Sequence, residues 1–324
     1  MYDSPPRQAS PLETLTAHLV VAVVALIVIG GATRVMQAGL ACPDWPLCYG
    51  QWLPGGRMNL QVFLEWFHRL DAFVVGMALL VLSAASWLGR RRLPGWLPWC
   101  AAAALLLVAV QGALGALTVT RLLAPSLVTA HLGTALLLVA LLSGAHQALE
   151  RQRLEALPLW WRGLTLVALL LVLGQCLLGG SLASQWAAQS CLAAAEGCQW
   201  LLRHRLGATP AAAVVILLLP ASLALPAAER HQRGFSLAAA LLVLLQVGLG
   251  MATLRLQLAV AAVTVAHQLT AALLVALLAA ALGRSLASAG TAAEQQPSSE
   301  LPLPSPTASS QAPALISSAD TLHG

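Results

Sequence analysis

The chain has 324 residues, of which 59% are hydrophobic and only 9% are charged, and its formal net charge is +5. This composition excludes a soluble globular protein and indicates an integral membrane protein. All 17 basic residues are arginines in short connections or at the ends of apolar runs. Their distribution therefore indicates the membrane topology, and the positive net charge does not indicate a nucleic-acid partner.

Eight apolar runs are long enough to cross about 30 Å of hydrocarbon as helices, which takes about 20 residues each. The predicted spans are 16–36, 64–88, 95–119, 125–145, 159–181, 204–225, 235–254 and 258–283. Arginines cluster in alternate connections, which the positive-inside rule places in the cytoplasm together with both termini. We therefore predict a multi-pass, all-α protein of the cell membrane.

The second half of the sequence repeats the first. EWFHRLDA at 65–72 has the counterpart LLRHRLGA at 201–208, and SLVTAHLGTALLLVALL around His131 matches AAVTVAHQLTAALLVALL around His267. The same offset separates His68 from His204 and His131 from His267. Because each unit contains four helices, both enter the membrane in the same direction, which predicts two parallel four-helix bundles related by a pseudo-twofold axis.

This duplication divides the chain into five parts. We predict a cytoplasmic N-terminal segment (1–15), an N-terminal four-helix half (16–145), an inner linker (146–158), a C-terminal four-helix half (159–284) and a disordered cytoplasmic tail (285–324). The tail is assigned from its Ser, Ala, Pro and Gln content and its lack of an apolar period.

Two pairs of cysteines lie in corresponding loops, Cys42 with Cys48 and Cys191 with Cys198. Both loops are predicted to face away from the cytoplasm, where disulfides persist, so each pair is expected to form a local disulfide. The alternative is a metal or redox pair, although the Cys-x-x-Cys spacing typical of such sites is absent.

Four histidines occupy repeat-equivalent positions near the same predicted ends of their helices: His68, His131, His204 and His267. A single intramembrane histidine is usually a hydrogen-bonded packing residue, but two equally spaced pairs favour ligation. Paired imidazoles on facing helices of a bundle suit the two axial positions of haem iron. Zinc usually requires a third protein ligand, which the repeat does not supply.

Five arginines could pair with haem propionates, because a guanidinium fork fits a carboxylate. Arg69 and Arg205 directly follow ligand candidates, while Arg34, Arg121 and Arg255 end other helices on the same side. The alternative role for all five is to reach the phosphates of membrane lipids.

The halves differ at one acidic position. Glu65 lies three residues before His68 and shares its helix face, whereas the matching residue in the second half is Leu201. A carboxylate at a helix start can simply be stabilised by the helix dipole. Its presence in only one half predicts instead that the first site carries out chemistry, with Glu65 catalytic, and that the second is a redox cofactor site.

These residues resemble the haem A synthase family, membrane enzymes that convert haem O to haem A for cytochrome oxidase. The resemblance is carried by GGATRVMQAGLACPDWPLC, by EWFHRLDA, and by the segments around the other three histidines, and it extends from about Thr16 to Arg284.

The resemblance implies that His204 and His267 ligate a haem b cofactor, while His68 and His131 hold the substrate, haem O. Glu65 would lie beside the ring methyl group that becomes a formyl group through a hydroxymethyl stage. A haem O synthase and an electron acceptor are the implied partners, and a thiol-exchange role for the first cysteine pair stays open. The alternatives are a non-catalytic di-haem b electron-transfer cytochrome and a transporter built from parallel repeats.

Overall fold

The computed structural model of the protein describes residues 10–150, 157–184 and 198–294. Within these ranges the structure is all-α, and its long helices are α1 (Pro11–Val35), α2 (Leu60–Leu88), α3 (Leu97–Thr120), α4 (Pro125–Leu149), α5 (Leu159–Ser184), α6 (Gln199–Ser222), α7 (Arg230–Arg255) and α8 (Ala261–Glu294). All eight are long and apolar enough to cross a membrane, which confirms the predicted spans in number and order. The chain is therefore an integral membrane protein.

Four helices, α1, α2, α6 and α7, begin four or five residues earlier than the hydropathy pattern predicts, and α2 and α6 carry candidate ligands. α2 begins at Leu60, where the Asn59 side chain accepts the Val62 N–H at 2.9 Å. α6 begins at Gln199, where the sulfur of Cys198 caps the first turn. A hydropathy pattern does not register such capping contacts. The histidines that were expected to open these two helices lie one to two turns inside them.

Helix α8 continues to Glu294, beyond the predicted domain boundary at 284. The rest of the predicted tail, 295–324, lies outside the described residues, as do residues 151–156 of the predicted linker.

The four helices of each half pack in a ring. In the first half α1 and α3 each contact both α2 and α4, and in the second half α5 and α7 each contact both α6 and α8. The halves meet through α4 against α8, with α1 against α8 and α4 against α5 on either side. Two repeats related by a twofold axis would produce this set of contacts, and the axis itself stays a prediction.

The contact between α4 and α8 is a close approach of two backbones. A Cβ atom on Gly283 would collide with the backbone of Gly144, so neither helix could come this near with a larger residue at Gly283. Beside this contact the Ser143 hydroxyl donates to the Ala276 carbonyl at 2.7 Å. Van der Waals packing and a buried hydrogen bond therefore join the halves.

Two tight turns have the same backbone conformation in both halves. Leu122 and Leu123 connect α3 to α4 with φ of 50° and 59°, and Gln257 and Leu258 connect α7 to α8 with φ of 52° and 63°. In each turn the second residue donates its N–H to a threonine carbonyl near the end of the preceding helix. Left-handed conformations are costly for residues with a Cβ, so their recurrence shows that the repeat extends to the backbone.

Candidate functional site

The rings of the four repeat-equivalent histidines lie at one end of the helix bundle. Each histidine belongs to an even-numbered helix, and its ring contacts a glycine in the helix before it. The contacts are His68 with Gly30, His131 with Gly115, His204 with Gly179 and His267 with Gly250. Every one of these glycines lies five residues before the last residue of its helix, which is about 7.5 Å of helical rise. The four imidazoles are therefore at similar depth.

The first pair of histidines has the spacing expected of two axial ligands on one metal ion. The ring centroids of His68 and His131 are 6.4 Å apart, and the ring planes are inclined at 76°. Two metal–nitrogen bonds of about 2 Å, with about 1.2 Å from each nitrogen to its ring centre, require roughly the same separation. Haem iron between these two imidazoles therefore fits the first half.

Each histidine of the second pair contacts a glutamine of the preceding helix. The Gln175 amide lies 3.0 Å from His204 Nδ1 and donates to the His204 carbonyl at 2.6 Å. Nδ1 of His267 lies 3.1 Å from the Gln246 carbonyl oxygen, which makes Nδ1 a donor to the backbone and leaves the lone pair on Nε2. Nε2 itself lies 3.3 Å from the Gln246 amide. This tautomer is the one that fits haem.

Neither pair forms part of a larger ligand cluster in the described part of the chain. No group of three or more His, Cys, Asp or Glu side chains there has the geometry to hold a metal ion. A three-ligand zinc site is therefore not described, and the donor sets are two pairs of imidazoles.

Glu65 is a buried carboxylate held between α2 and the loop that precedes it, with 4% of its surface exposed. Its Oε2 accepts the backbone N–H of Cys42 at 2.8 Å, and its Oε1 accepts from Arg69 at 2.5 Å. Arg69 also donates to the carbonyls of Asp44 at 2.6 Å and Leu47 at 2.5 Å. Both carboxylate oxygens therefore have a donor, and the contact with Arg69 is a salt bridge.

The loop above Glu65 is closed by the predicted disulfide. Cys42 and Cys48 are bonded, with their Cα atoms 4.8 Å apart, which confirms this pair. Inside the ring the carboxylate of Asp44 accepts the N–H groups of Gly50 at 2.7 Å and Tyr49 at 2.6 Å. The Gly50 N–H is the largest cause that holds the pKa of Asp44 below its usual value, and Arg69 adds to it.

The second half lacks the corresponding arrangement. Leu201 stands where the first half has Glu65, and Arg205, the counterpart of Arg69, is exposed. Cys198 is disulfide-bonded, and its predicted partner, Cys191, lies outside the described residues. The buried acid therefore belongs to the first site alone, as the sequence predicts.

The five arginines predicted to bind propionates have different surroundings. Arg69 is engaged by the loop carbonyls and Glu65, while Arg121, Arg205 and Arg255 are exposed. Arg34, at the end of α1, is half-buried and has no hydrogen bond or ion pair to its side chain among the described residues. Propionate binding stays a prediction for all five, and Arg69 is the one whose guanidinium has hydrogen-bond partners among the described residues.

The sequence pattern did not predict the bonds from Arg69 to the loop. The local signal was present, because Glu65 and Arg69 are an i, i+4 pair on one helix face. The contacts between glycines and imidazoles were also not predicted, although the spacing of Gln111 to Gly115 recurs in Gln246 to Gly250.

The chain matches a protein-family model over residues 13–279. The model is COX15-CtaA, described as cytochrome oxidase assembly protein. The match contains all eight predicted spans except the last few residues of the eighth.

Individual proteins similar to this chain include two heme A synthases and a protoheme IX farnesyltransferase. The heme A synthase of Shewanella oneidensis is 34% identical over 187 residues, which cover 52% of this chain and 56% of that protein. The heme A synthase of Sphingopyxis alaskensis is 28% identical over 319 residues, covering 81% of this chain and 88% of that protein. A protoheme IX farnesyltransferase of Halobacterium salinarum is 30% identical over 79 residues, covering 24% and 17%. The alignment with the Shewanella protein thus spans little more than half of that relative.

Proposed function

Because the chain belongs to the COX15-CtaA family of cytochrome oxidase assembly proteins, we propose that it is a haem A synthase, which oxidises a ring methyl group of haem O to a formyl group through a hydroxymethyl stage. The observation that carries this proposal is a pair of imidazoles at iron-ligating distance in the same half as the buried carboxylate of Glu65, whose counterpart in the other half is Leu201.

The substrate, haem O, would be held in the first half by His68 and His131. The 6.4 Å between their ring centroids supports this assignment, as does the position of Glu65 three residues before His68 on the same helix face. A carboxylate so placed would lie beside the porphyrin edge and not on the iron. Oxidation of a peripheral methyl group takes place at that edge.

The second half would hold haem b through His204 and His267. When bound, this group supplies one-electron redox chemistry, which removes electrons from the site of oxidation. The chain's own contribution there is to orient both imidazoles, which Gln175 and Gln246 do through the contacts described above.

Glu65 would stabilise positive charge that develops on the substrate as electrons leave it. Both of its oxygens already accept hydrogen bonds, from a guanidinium and from a backbone N–H. With both oxygens engaged by donors, the carboxylate is held in a fixed position, which favours an electrostatic role over a general-base role. In a site that excludes water such a charge acts strongly, because no solvent screens it.

The predicted topology puts both termini in the cytoplasm and the disulfide loop on the opposite side, above the substrate site. A haem O synthase would supply the substrate, and the short similarity to a protoheme IX farnesyltransferase supports that link. A membrane electron acceptor would reoxidise the second site.

The experiment that tests this function is expression in a bacterial host that makes haem O but no haem A. Haems extracted from the purified protein are separated by chromatography. We expect haem A and haem b from the wild type, and haem b without haem A from Glu65→Ala. Asp71→Asn is the matched control, because it removes a second carboxylate of α2, one that is half-buried, and it should still give haem A.

Two outcomes would contradict the assignment. If Glu65→Ala accumulates haem A at the wild-type level, Glu65 is not catalytic. If the wild type binds two haems but forms no haem A when haem O is supplied, the protein is a di-haem electron-transfer cytochrome.

A further inference from the structure

The contact between each ligand histidine and its glycine has the same geometry in all four places. A Cβ atom built on the glycine would meet the Cε1 atom of the imidazole first. The distances are 2.8 Å at Gly30, 2.9 Å at Gly179, 3.1 Å at Gly250 and 3.6 Å at Gly115. At three of the four positions any side chain would displace the ring.

A backbone carbonyl lies next to each of these glycines. In an α-helix the carbonyl of one residue points along the axis toward the residue four positions later, and a side chain at that later position shields it. The residues four positions before the glycines are Leu26, Gln111, Gln175 and Gln246. Glycine therefore leaves the carbonyls of these four residues open to a neighbouring helix.

One histidine bonds to the carbonyl that its glycine exposes, because Nδ1 of His267 lies 3.1 Å from the Gln246 carbonyl oxygen. The Nδ1 atoms of His68 and His131 are buried and have no hydrogen-bond partner among the described residues. Nδ1 of His204 lies 3.0 Å from the side-chain amide of Gln175.

We infer that Gly30, Gly115, Gly179 and Gly250 are positioning residues for the haem ligands. Each lets the facing imidazole lie against the preceding helix, and Gly250 in addition exposes the Gln246 carbonyl, which accepts the Nδ1–H of His267 and leaves the lone pair on Nε2 to bind iron. The inference rests on the proposed function, since it assigns the four histidines to haem.

The hydrogen bond from the Nδ1–H of His267 to the Gln246 carbonyl would have two effects on the haem ligand. It fixes the tautomer and the ring orientation before iron binds, and it makes the imidazole a more electron-donating ligand. A stronger donor stabilises ferric over ferrous iron and lowers the midpoint potential of the haem. Loss of such a hydrogen bond typically weakens metal binding by about 10-fold to 100-fold.

Ordinary helix packing does not explain the pattern as well. A glycine that serves close helix packing contacts the backbone of its neighbour, as Gly283 does with Gly144. The four glycines here contact imidazole rings, once in each facing helix pair and always at the same distance from the helix end. The glycines Gly112, Gly174 and Gly248 lie in the same helices and have no neighbouring atom within 4 Å of a Cβ.

The test compares alanine substitutions in the second half, where the haem is a resident cofactor. Gly179→Ala and Gly250→Ala are purified beside the controls Gly174→Ala and Gly248→Ala. Alanine favours a helix more than glycine does, so helix propensity cannot cause a loss. Haem b content, its midpoint potential and its low-spin electron paramagnetic resonance signal are measured on the full-length protein.

We expect Gly179→Ala, with the tighter contact, to lose most of its haem b. Gly250→Ala should retain more, because its neighbour has to move only a few tenths of an ångström, and the retained haem should have a raised midpoint potential and an altered resonance signal. Both controls should match the wild type. A glycine that only provides space would reduce haem content without changing the potential of the haem that remains, and this result would overturn the role of the carbonyl.

His204→Ala separates a failure of the inference from a failure of the proposed function. If His204→Ala loses haem b while both test variants keep wild-type content and potential, the glycines are not positioning residues. If His204→Ala retains haem b with an unchanged signal, the ligand assignment itself is wrong.

Discussion

Arg69→Leu tests the buried ion pair beneath the disulfide loop. The substitution removes the partner of Glu65 and the donor to the carbonyls of Asp44 and Leu47. The side chains of Arg69 and Glu65 are 14% and 5% exposed, so solvent screens their interaction only weakly. Removing one partner of a buried pair typically costs about 3–5 kcal/mol, because the other charge is left unpaired.

That cost should appear as local opening of the loop. At about 1.4 kcal/mol for each tenfold change, 3 kcal/mol corresponds to roughly 100-fold more frequent opening. Hydrogen exchange of the backbone amides between Cys42 and Gly50, followed by mass spectrometry, measures this change. The Cys42 amide should show it most clearly, because it donates to Glu65.

A second substitution separates the ion pair from simple loss of packing. In the double variant Glu65→Leu with Arg69→Leu no charge is left unpaired, so the loop should regain part of the protection that Arg69→Leu loses. Arg121→Leu, at an exposed arginine in the turn between α3 and α4, is the control and should exchange like the wild type. If the amides from Cys42 to Gly50 exchange at the wild-type rate in Arg69→Leu, the pair does not hold the loop.

Two further predictions concern the same loop. The pKa of Asp44 is lowered in the folded protein, so its contribution to loop stability is present above the ordinary pKa of about 4 and is lost as pH falls through the lowered value. Hydrogen exchange of the Tyr49 and Gly50 amides, corrected for the intrinsic rate, should be constant from pH 7 to pH 5 and should rise below pH 4. Asp44→Asn should remove this pH dependence. Equal pH profiles for the wild type and Asp44→Asn would contradict the prediction. Replacing both Cys42 and Cys48 by serine opens a ring with a sequence separation of 6, which should destabilise the loop by about 2 kcal/mol and lower the yield of haem A without abolishing haem b. Cys100→Ser, at a free cysteine of α3, is the control, and an unchanged yield of haem A in the double serine variant would show that the loop does not position Glu65.

The sequence predicted the parts of this structure that depend on periodicity and duplication. Apolar runs of sufficient length identified all eight helices, since a helix in hydrocarbon needs a continuous apolar surface. The equal spacing of His68 to His131 and His204 to His267 predicted which side chains converge. The first pair does so at 6.4 Å.

Other features depend on contacts that no local pattern encodes. The sequence suggested Arg69 as a propionate ligand because it follows a histidine, but in the structure its guanidinium binds carbonyls 22 to 25 residues away. Those acceptors are backbone atoms, which every residue has, so residue type gives no signal for them. The same reason explains why the carbonyls beside Gly30 and Gly179 were not predicted, although the glycines themselves are visible in the sequence.

Three of the four histidines face a glutamine, and the fourth does not. The amides of Gln111 and Gln175 donate to the main chain of His131 and His204, and that of Gln246 lies against the ring of His267. Leu26, at the same place in α1, has no amide to offer His68. On the proposed assignment, the first half would hold its porphyrin unequally, with weaker support for the ligand on α2. An enzyme with both a haem product and a haem cofactor must release the product in each cycle while it retains the cofactor. A leucine at one of the four positions and glutamines at the other three would provide that difference.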